Sequence, residues 1–259
     1  MRTFLLPLLL LLASLSPLAQ AERLRIVSDE WAPYFYQEDG EFKGVDYDVV
    51  SEVFTRLGVQ VDWELMPWKR CLAMVHDGQV DGVLDIFKMP GRDGYLIYPN
   101  EPLSQVEFVL YQASARPHRI EHIDDLAGLT VGTSPGYTYG GAFSDSPLFR
   151  REPAPTQQAN FGKLALGRID LLLTDRRVGR FLRRQMALEQ RVEELPLVIN
   201  QQPQFLALAR KPGREALATA FSEELQRFRR EPAYAAIQTR YDPGPHFPVT
   251  VEQQESSTH

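Results

Sequence analysis

Two short apolar runs, VDGVLDIF at residues 80–87 and IDLLLTD at 169–175, set the frame of this chain. Each follows a helix-period segment closed by a glycine, Gly78 before the first and Gly167 before the second. A strand that is apolar on both faces needs cover on both, so such runs belong inside a largely parallel sheet with helices packed on either side. The segments before the first run agree. RLRIVS (23–28) reads as a strand, GEFK (40–43) as a turn, and YDVVSEVFTRLG (47–58) as a helix. That helix turns Val49, Val50, Val53, Phe54 and Leu57 inward and stops at Gly58. VQVDWEL (59–65) alternates like a half-buried strand, and KRCLAMVHDG (69–78) is a short helix. Residues 23–87 thus run β-α-β-α-β, one three-layer α/β lobe.

A second lobe begins near residue 120. LTVGTS (129–134) is strand, turn and helix start, and RRVGRFLRRQMAL (176–188) is a helix with Val178, Phe181, Leu182 and Met186 inward. Its arginines, Arg176, Arg177, Arg180, Arg183 and Arg184, form a solvated helix face more readily than a phosphate or membrane patch. Strands follow at LPLVI (195–199) and FLALAR (205–210). The last two helices, one carrying Leu217, Phe221, Leu225 and Phe228 and the other PAYAAIQTRY (232–241), have no sheet of their own. They are expected to pack back on the first lobe, so the chain crosses between lobes twice. The expected division is lobe 1 at 22–112 and 206–242, lobe 2 at 113–205, and a proline-rich, then polar tail at 243–259. Two lobes joined by two strands leave a cleft that hinges around a small ligand.

The first 21 residues, MRTFLLPLLLLLASLSPLAQA, have the arginine, apolar run and Ala-Gln-Ala end of a secretory signal peptide, with cleavage after Ala21. The expected product is exported to the periplasm, monomeric and acidic. Lys and Arg number 28 against 34 Asp and Glu, for a net charge of −6, which disfavours nucleic acid as a partner. A single cysteine, Cys71, permits no internal disulfide. The five histidines show no metal-ligand spacing with cysteine or acids, and His118 and His122 fall in a loop beside Pro117, so no metal or other cofactor is expected.

VGTSPGYTYGG (131–141) contains G-x-S-x-G at Gly132, Ser134 and Gly136, the pattern of a hydrolase nucleophile elbow. The residue after the serine, whose N–H would serve the oxyanion hole, is Pro135, which has none. The only downstream histidines are His246 and His259, in the tail. The expected role is a binding loop that brings the free N–H groups of a following helix to a ligand.

Four segments, WAPYFYQEDGEFKGVDYDVV, GQVDGVLDIFKMPGRDGYLIYPNEPL, IDDLAGLTVGTSPGYTYGGAF and GRIDLLLTD, together resemble the periplasmic solute-binding proteins of family 3, the polar amino-acid type that serves ABC transporters. The resemblance runs in family order over about 22–242. It implies the two-lobe (type II) periplasmic binding protein fold, no catalysis, capture of an amino acid or related zwitterion or carboxylate, and an ABC permease as partner. Arg92 matches the arginine that grips the ligand carboxylate, and Asp175 the aspartate that accepts its ammonium, although an aspartate there also caps the next helix. Thr138 matches the second-lobe threonine on the carboxylate. Trp31 and Tyr34 belong to the aromatic start that walls the pocket, and Arg70 and Trp68 open a helix that can face it.

Four positions depart from the pattern: Asp85, Phe87, Met89 and Tyr137 stand where the family has small or hydroxyl residues. They leave the ligand open. Asp85 in an aromatic pocket would suit a cationic group or a bound water. Two other functions share the fold, a sensing or accessory protein with no permease, and a dehydratase acting on cyclohexadienyl acids with Asp85 as its acid.

Overall fold

The computed structural model describes residues 22–241; the expected signal segment and the 243–259 tail lie outside them. The first lobe starts with β1 (Arg23–Ser28), whose parallel neighbours are β4 (Gln60–Leu65) on one side and β5 (Gly82–Phe87) on the other. Helices α1 (Val45–Arg56) and α2 (Trp68–His76) make the crossovers. Leu24, Ile26 and Leu84 face one apolar layer with α1, while Val27, Val83 and Ile86 face another with α2. This two-sided burial is what the continuous apolar runs required.

GEFK is not a simple turn. Tyr36–Glu38 (β2) and Glu41–Lys43 (β3) form a hairpin whose reversal is Asp39-Gly40, both at positive φ. The hairpin's polar tip hid a strand of only three residues. A short strand, β6 (Leu96–Ile97), adds to the lobe 1 side of the sheet.

The crossing is made by two long strands. β7 (Ser104–Ala113) and β11 (Val192–Ala209) pair antiparallel from Ser104 opposite Gln204 to Ala113 opposite Val192. LPLVI and FLALAR are therefore one strand of 18 residues, not two. Pro196 breaks the sequence pattern, but the strand absorbs it where its register shifts between Glu194 and Val198. The lower part of β11 pairs with β5, and β7 pairs with β10 (Leu171–Asp175), so one sheet is continuous through both lobes in the order β4-β1-β5-β11-β7-β10-β8-β9.

In the second lobe β8 (Thr130–Thr133) lies parallel to β10 and to β9 (Arg150–Pro153), with α4 (Gln157–Ala165) and α5 (Arg176–Gln185) against them. The helix expected after G-x-S-x-G is a single turn, α3, at Gly141–Asp145. The arginine face of α5 is largely turned inward. Arg176 donates to Glu107 at 2.6 Å and pairs with Glu194, Arg180 donates to Glu194 at 2.9 Å, and Arg183 lies over the Tyr111 ring. α6 (Arg214–Phe228) and α7 (Pro232–Tyr241) return to α1, with Phe221 against Phe54 and Arg56 bridging to Glu231 at 2.6 Å.

Candidate functional site

The cleft is built from strand ends. In sheets of this type ligands bind beyond the carboxyl ends of parallel strands, where loops diverge and backbone donors point outward. β1 delivers Asp29 and Trp31. β5 ends in Asp85 and Phe87, and the following turn, with Gly91 at φ 84°, swings Arg92 back toward the strand. β8 of the second lobe delivers the loop Ser134–Thr138 from the opposite wall.

The walls touch. Tyr137 Oη of lobe 2 donates to Asp29 Oδ2 of lobe 1 at 2.9 Å, and its ring meets Trp31 edge-on at 5.8 Å. Thr138 Oγ1 stands 4.0 Å from Met89 Sδ. Behind these contacts a cavity of about 30 Å³ remains, lined by Trp31, Asp85, Phe87, Arg92, Tyr137 and Thr138 together with Asp29, Trp68, Met89 and Gly136. Such a volume holds one or two waters, not a solute. A wider groove of about 560 Å³ opens outside, with Glu30, Met66, Lys69, Pro135 and Gln157 among its walls.

Six of the nine expected site residues thus share one cavity, and three do not. Arg70 is exposed on α2. Cys71 and Val75, buried one turn apart, fix the roll of that helix, and Trp68 and Lys69 face the cleft instead. Tyr34 is fully buried behind Trp31, ring centroids 4.8 Å apart, and its Oη donates to Asp175 Oδ1 at 3.0 Å. Asp175 is 1% exposed and caps α5, accepting Val178 N at 3.0 Å and Glu107 N at 3.1 Å. Asp175 thus has three donors and is absent from the lining of the cavity that holds Arg92. The bond that spans the cleft at this cavity is Tyr137 to Asp29.

The binding loop also works differently from the expectation. Ser134 N donates to Tyr139 Oη at 2.8 Å and Ser134 Oγ accepts from Gln157 at 2.8 Å, so the loop is fixed by its own side chains. A one-turn helix that starts at Gly141 presents no row of N–H groups. What the loop offers the cavity is the Tyr137 and Thr138 side chains. Gly132 is required lower down, where a Cβ would lie 2.5 Å from Ile169 Cδ1.

Charge in the site is sparse. Arg92 Nη1 donates to Phe87 O at 2.9 Å, and no carboxylate pairs with it among the described residues. Burial pushes Asp29 up to about 6 although the Tyr137 hydroxyl favours its ionised form. Asp85 is held well above the carboxylate range by burial and by the charge of Asp46. Burial also raises Asp175, against the pull of its donors and of Arg177. Asp29 was missed from the sequence, although its place, directly after a strand that opens the sheet, was a usable signal.

Two α/β lobes in series, a cleft at the strand ends and a sheet crossing twice define the fold of the two-lobe periplasmic binding proteins. The chain matches the family described as bacterial extracellular solute-binding proteins, family 3, over residues 24–243, and it belongs to that family. It is 20% identical over 151 residues to a Bacillus subtilis protein described as "Probable amino-acid-binding protein YxeM", a match that spans 56% of each chain. Among solved structures, an ancestral arginine-binding protein bound to arginine superposes with a TM-score of 0.73 at 19% identity, covering 85% of this chain and 98% of that one. A histidine kinase sensor domain similar to periplasmic binding proteins gives 0.73 at 19% identity, covering 85% and 95%. At such identities the structures establish the shared fold.

Proposed function

We propose that this protein is exported to the periplasm after cleavage at Ala21, with its lobes divided at 112/113 and 205/206. There it closes over one small polar solute, an amino acid or a related charged amine or carboxylate. The observation that carries the reading is Arg92, a cavity-wall guanidinium with no carboxylate partner among the described residues, facing the same space as Asp29. A planar guanidinium in such a place receives a carboxylate in two parallel bonds. Aromatic walls from Trp31, Phe87 and Tyr137 enclose the rest.

Because the inner cavity beside Arg92 has room only for water, a solute that reaches Arg92 enters an open form and displaces Tyr137 from Asp29. Closure follows only if the solute is bound more tightly by the closed state. Binding, with no bond made or broken, is the whole of the mechanism, and the closed form is delivered to an ABC permease. A thermal-shift screen of amino acids, polyamines and small carboxylates tests this reading. At a hundredfold excess over Kd a true ligand stabilises the fold by about 2.7 kcal/mol. Arg92→Ala should erase the shift of any carboxylate that scores; an undiminished shift would remove Arg92 from the site. Uptake of the scoring solute, compared between cells with and without the gene, tests the permease. Normal uptake without the gene favours a sensing role.

A further inference from the structure

The floor of the cavity holds an acid pair that the reading above leaves unused. Asp85, two residues before the end of β5, lies in the left-handed region, φ 60°, and is 5% exposed. Its Oδ1 receives only a long bond from Gln204 Nε2 at 3.4 Å, and its Oδ2 is buried with no partner on a residue that lines the cavity. No cation pairs with Asp85 among the described residues. Beneath it Asp46, fully buried in the first turn of α1, accepts Ser104 Oγ at 2.5 Å and Gln204 Nε2 at 2.7 Å. Both carboxyls take a bond from the one Gln204 Nε2, so the two acids lie side by side, and burial together with the charge of Asp46 holds Asp85 toward its protonated form. With one proton held, the pair carries a single negative charge in a buried place, and Asp85 lines the cavity.

Arg177 offsets charge on the Asp46 side, whereas Asp85 faces the cavity, and a cation brought to it there lowers the cost of the buried charge. The same cavity wall carries Trp31, 3% exposed, whose Nε1 is a buried donor without a partner. We propose that Asp46 and Asp85 form a subsite for an ammonium or guanidinium group of the solute, and that the pair gives up a proton when that group binds. The proposal rests on the cleft being a solute site. In the step, the O–H bond of the protonated acid breaks, its proton passes to solvent, and an N–H of the solute takes its place against Asp85. No electrons are transferred.

The groups that face the pair come from several elements. Asp29 after β1 adds negative charge near Asp85, Arg92 after β5 lines the same cavity, and Tyr137 faces it from lobe 2. Arg177 of α5 favours the ionised form of Asp46, and Tyr34 lies near it. Gln204 and Ser104 are neutral. Asp29 titrates in its own right near 6, so proton exchange is read above that range.

Calorimetry at pH ~7.5 in two buffers of different ionisation heat counts the protons exchanged, and the probes are L-arginine, putrescine and succinate. The expected result is release of about one proton by each amine, with affinity falling about tenfold for each unit of acidification, and none released by succinate. Asp85→Asn keeps the shape and tolerates the left-handed backbone, yet it should abolish proton release and weaken both amines about tenfold or more. Amines that bind without proton release, or bind the Asn variant unchanged, overturn the proposal. A second reading avoids the variant: the carboxyl carbon signals of labelled wild-type protein should show a protonated aspartate at this pH that ionises when putrescine is added, and a spectrum without one overturns it as well. If only succinate binds, solute capture stands and the acid subsite falls. If none of the three probes binds, and nothing in the wider panel does, both fall.

Discussion

Asp175 shows how one side chain can satisfy a sequence pattern and serve another purpose. Its carboxylate holds the first turn of α5, the start of the crossing at Glu107 and the Tyr34 hydroxyl. Asp175→Ala should therefore cost about 2–4 kcal/mol, one lost cap plus orphaned buried donors, measured by urea unfolding. A variant of full stability with lost solute affinity would restore the ligand role. Asp29 makes the opposite case. Its folded pKa, pushed up to about 6, exceeds that of an unfolded aspartate. The folded state therefore binds the extra proton, and the Asp29 contribution to stability is full below about pH 4 and is lost as pH rises through about 6. Asp29→Asn should stabilise the protein at pH 8 by up to about 3 kcal/mol and change little at pH 4. Thermal melts at the two values decide it, and equal shifts would show an Asp29 that is not raised.

Helix packing decides which glycines matter. Gly179 sits where α5 crosses β7, and a Cβ there would lie 2.3 Å from the Tyr111 ring. Gly162 in α4 has nothing within 4 Å of that point. Gly179→Ala should destabilise by about 1–3 kcal/mol through overpacking. Gly162→Ala should stabilise by about 0.4–1 kcal/mol, because alanine loses less backbone freedom. Denaturant midpoints for the two variants give the comparison, and equal effects would mean that α5 does not pack on β7 as described. In the sequence these glycines look alike, both lying inside helix-period segments. What separates them is the distance between two elements far apart in the chain. The crossing strand β11 carries the same lesson. Its proline and polar middle read as a break, and only pairing with β7 along its length makes it one strand.

On the scale of the molecule, the cleft is held shut by its own residues. Tyr137 bonds Asp29 across it, and Tyr34 joins lobe 1 to the Asp175 end of β10. Tyr137→Phe removes one hydroxyl bond to a carboxylate, a contribution of about 1.5–3 kcal/mol, and so should favour the open form about 10–100-fold. Small-angle scattering of the unliganded protein should then show a larger radius of gyration. An unchanged radius would mean that the bond does not hold the lobes together. Most of the order of strands and helices, the two-lobe plan and the return of the last helices were legible in sequence, since burial leaves a period of two or 3.6 that survives without coordinates; the β2–β3 hairpin and the unbroken β11 were not. The six cavity residues were named by the resemblance to the family or as departures from its pattern, not by periodicity. The roll of α2, the choice of Asp29 over Asp175 and the left-handed turn of Asp85 toward Asp46 were decided only by the tertiary structure. Each depends on which distant groups meet, and local periodicity does not encode a meeting between segments 40 to 140 residues apart.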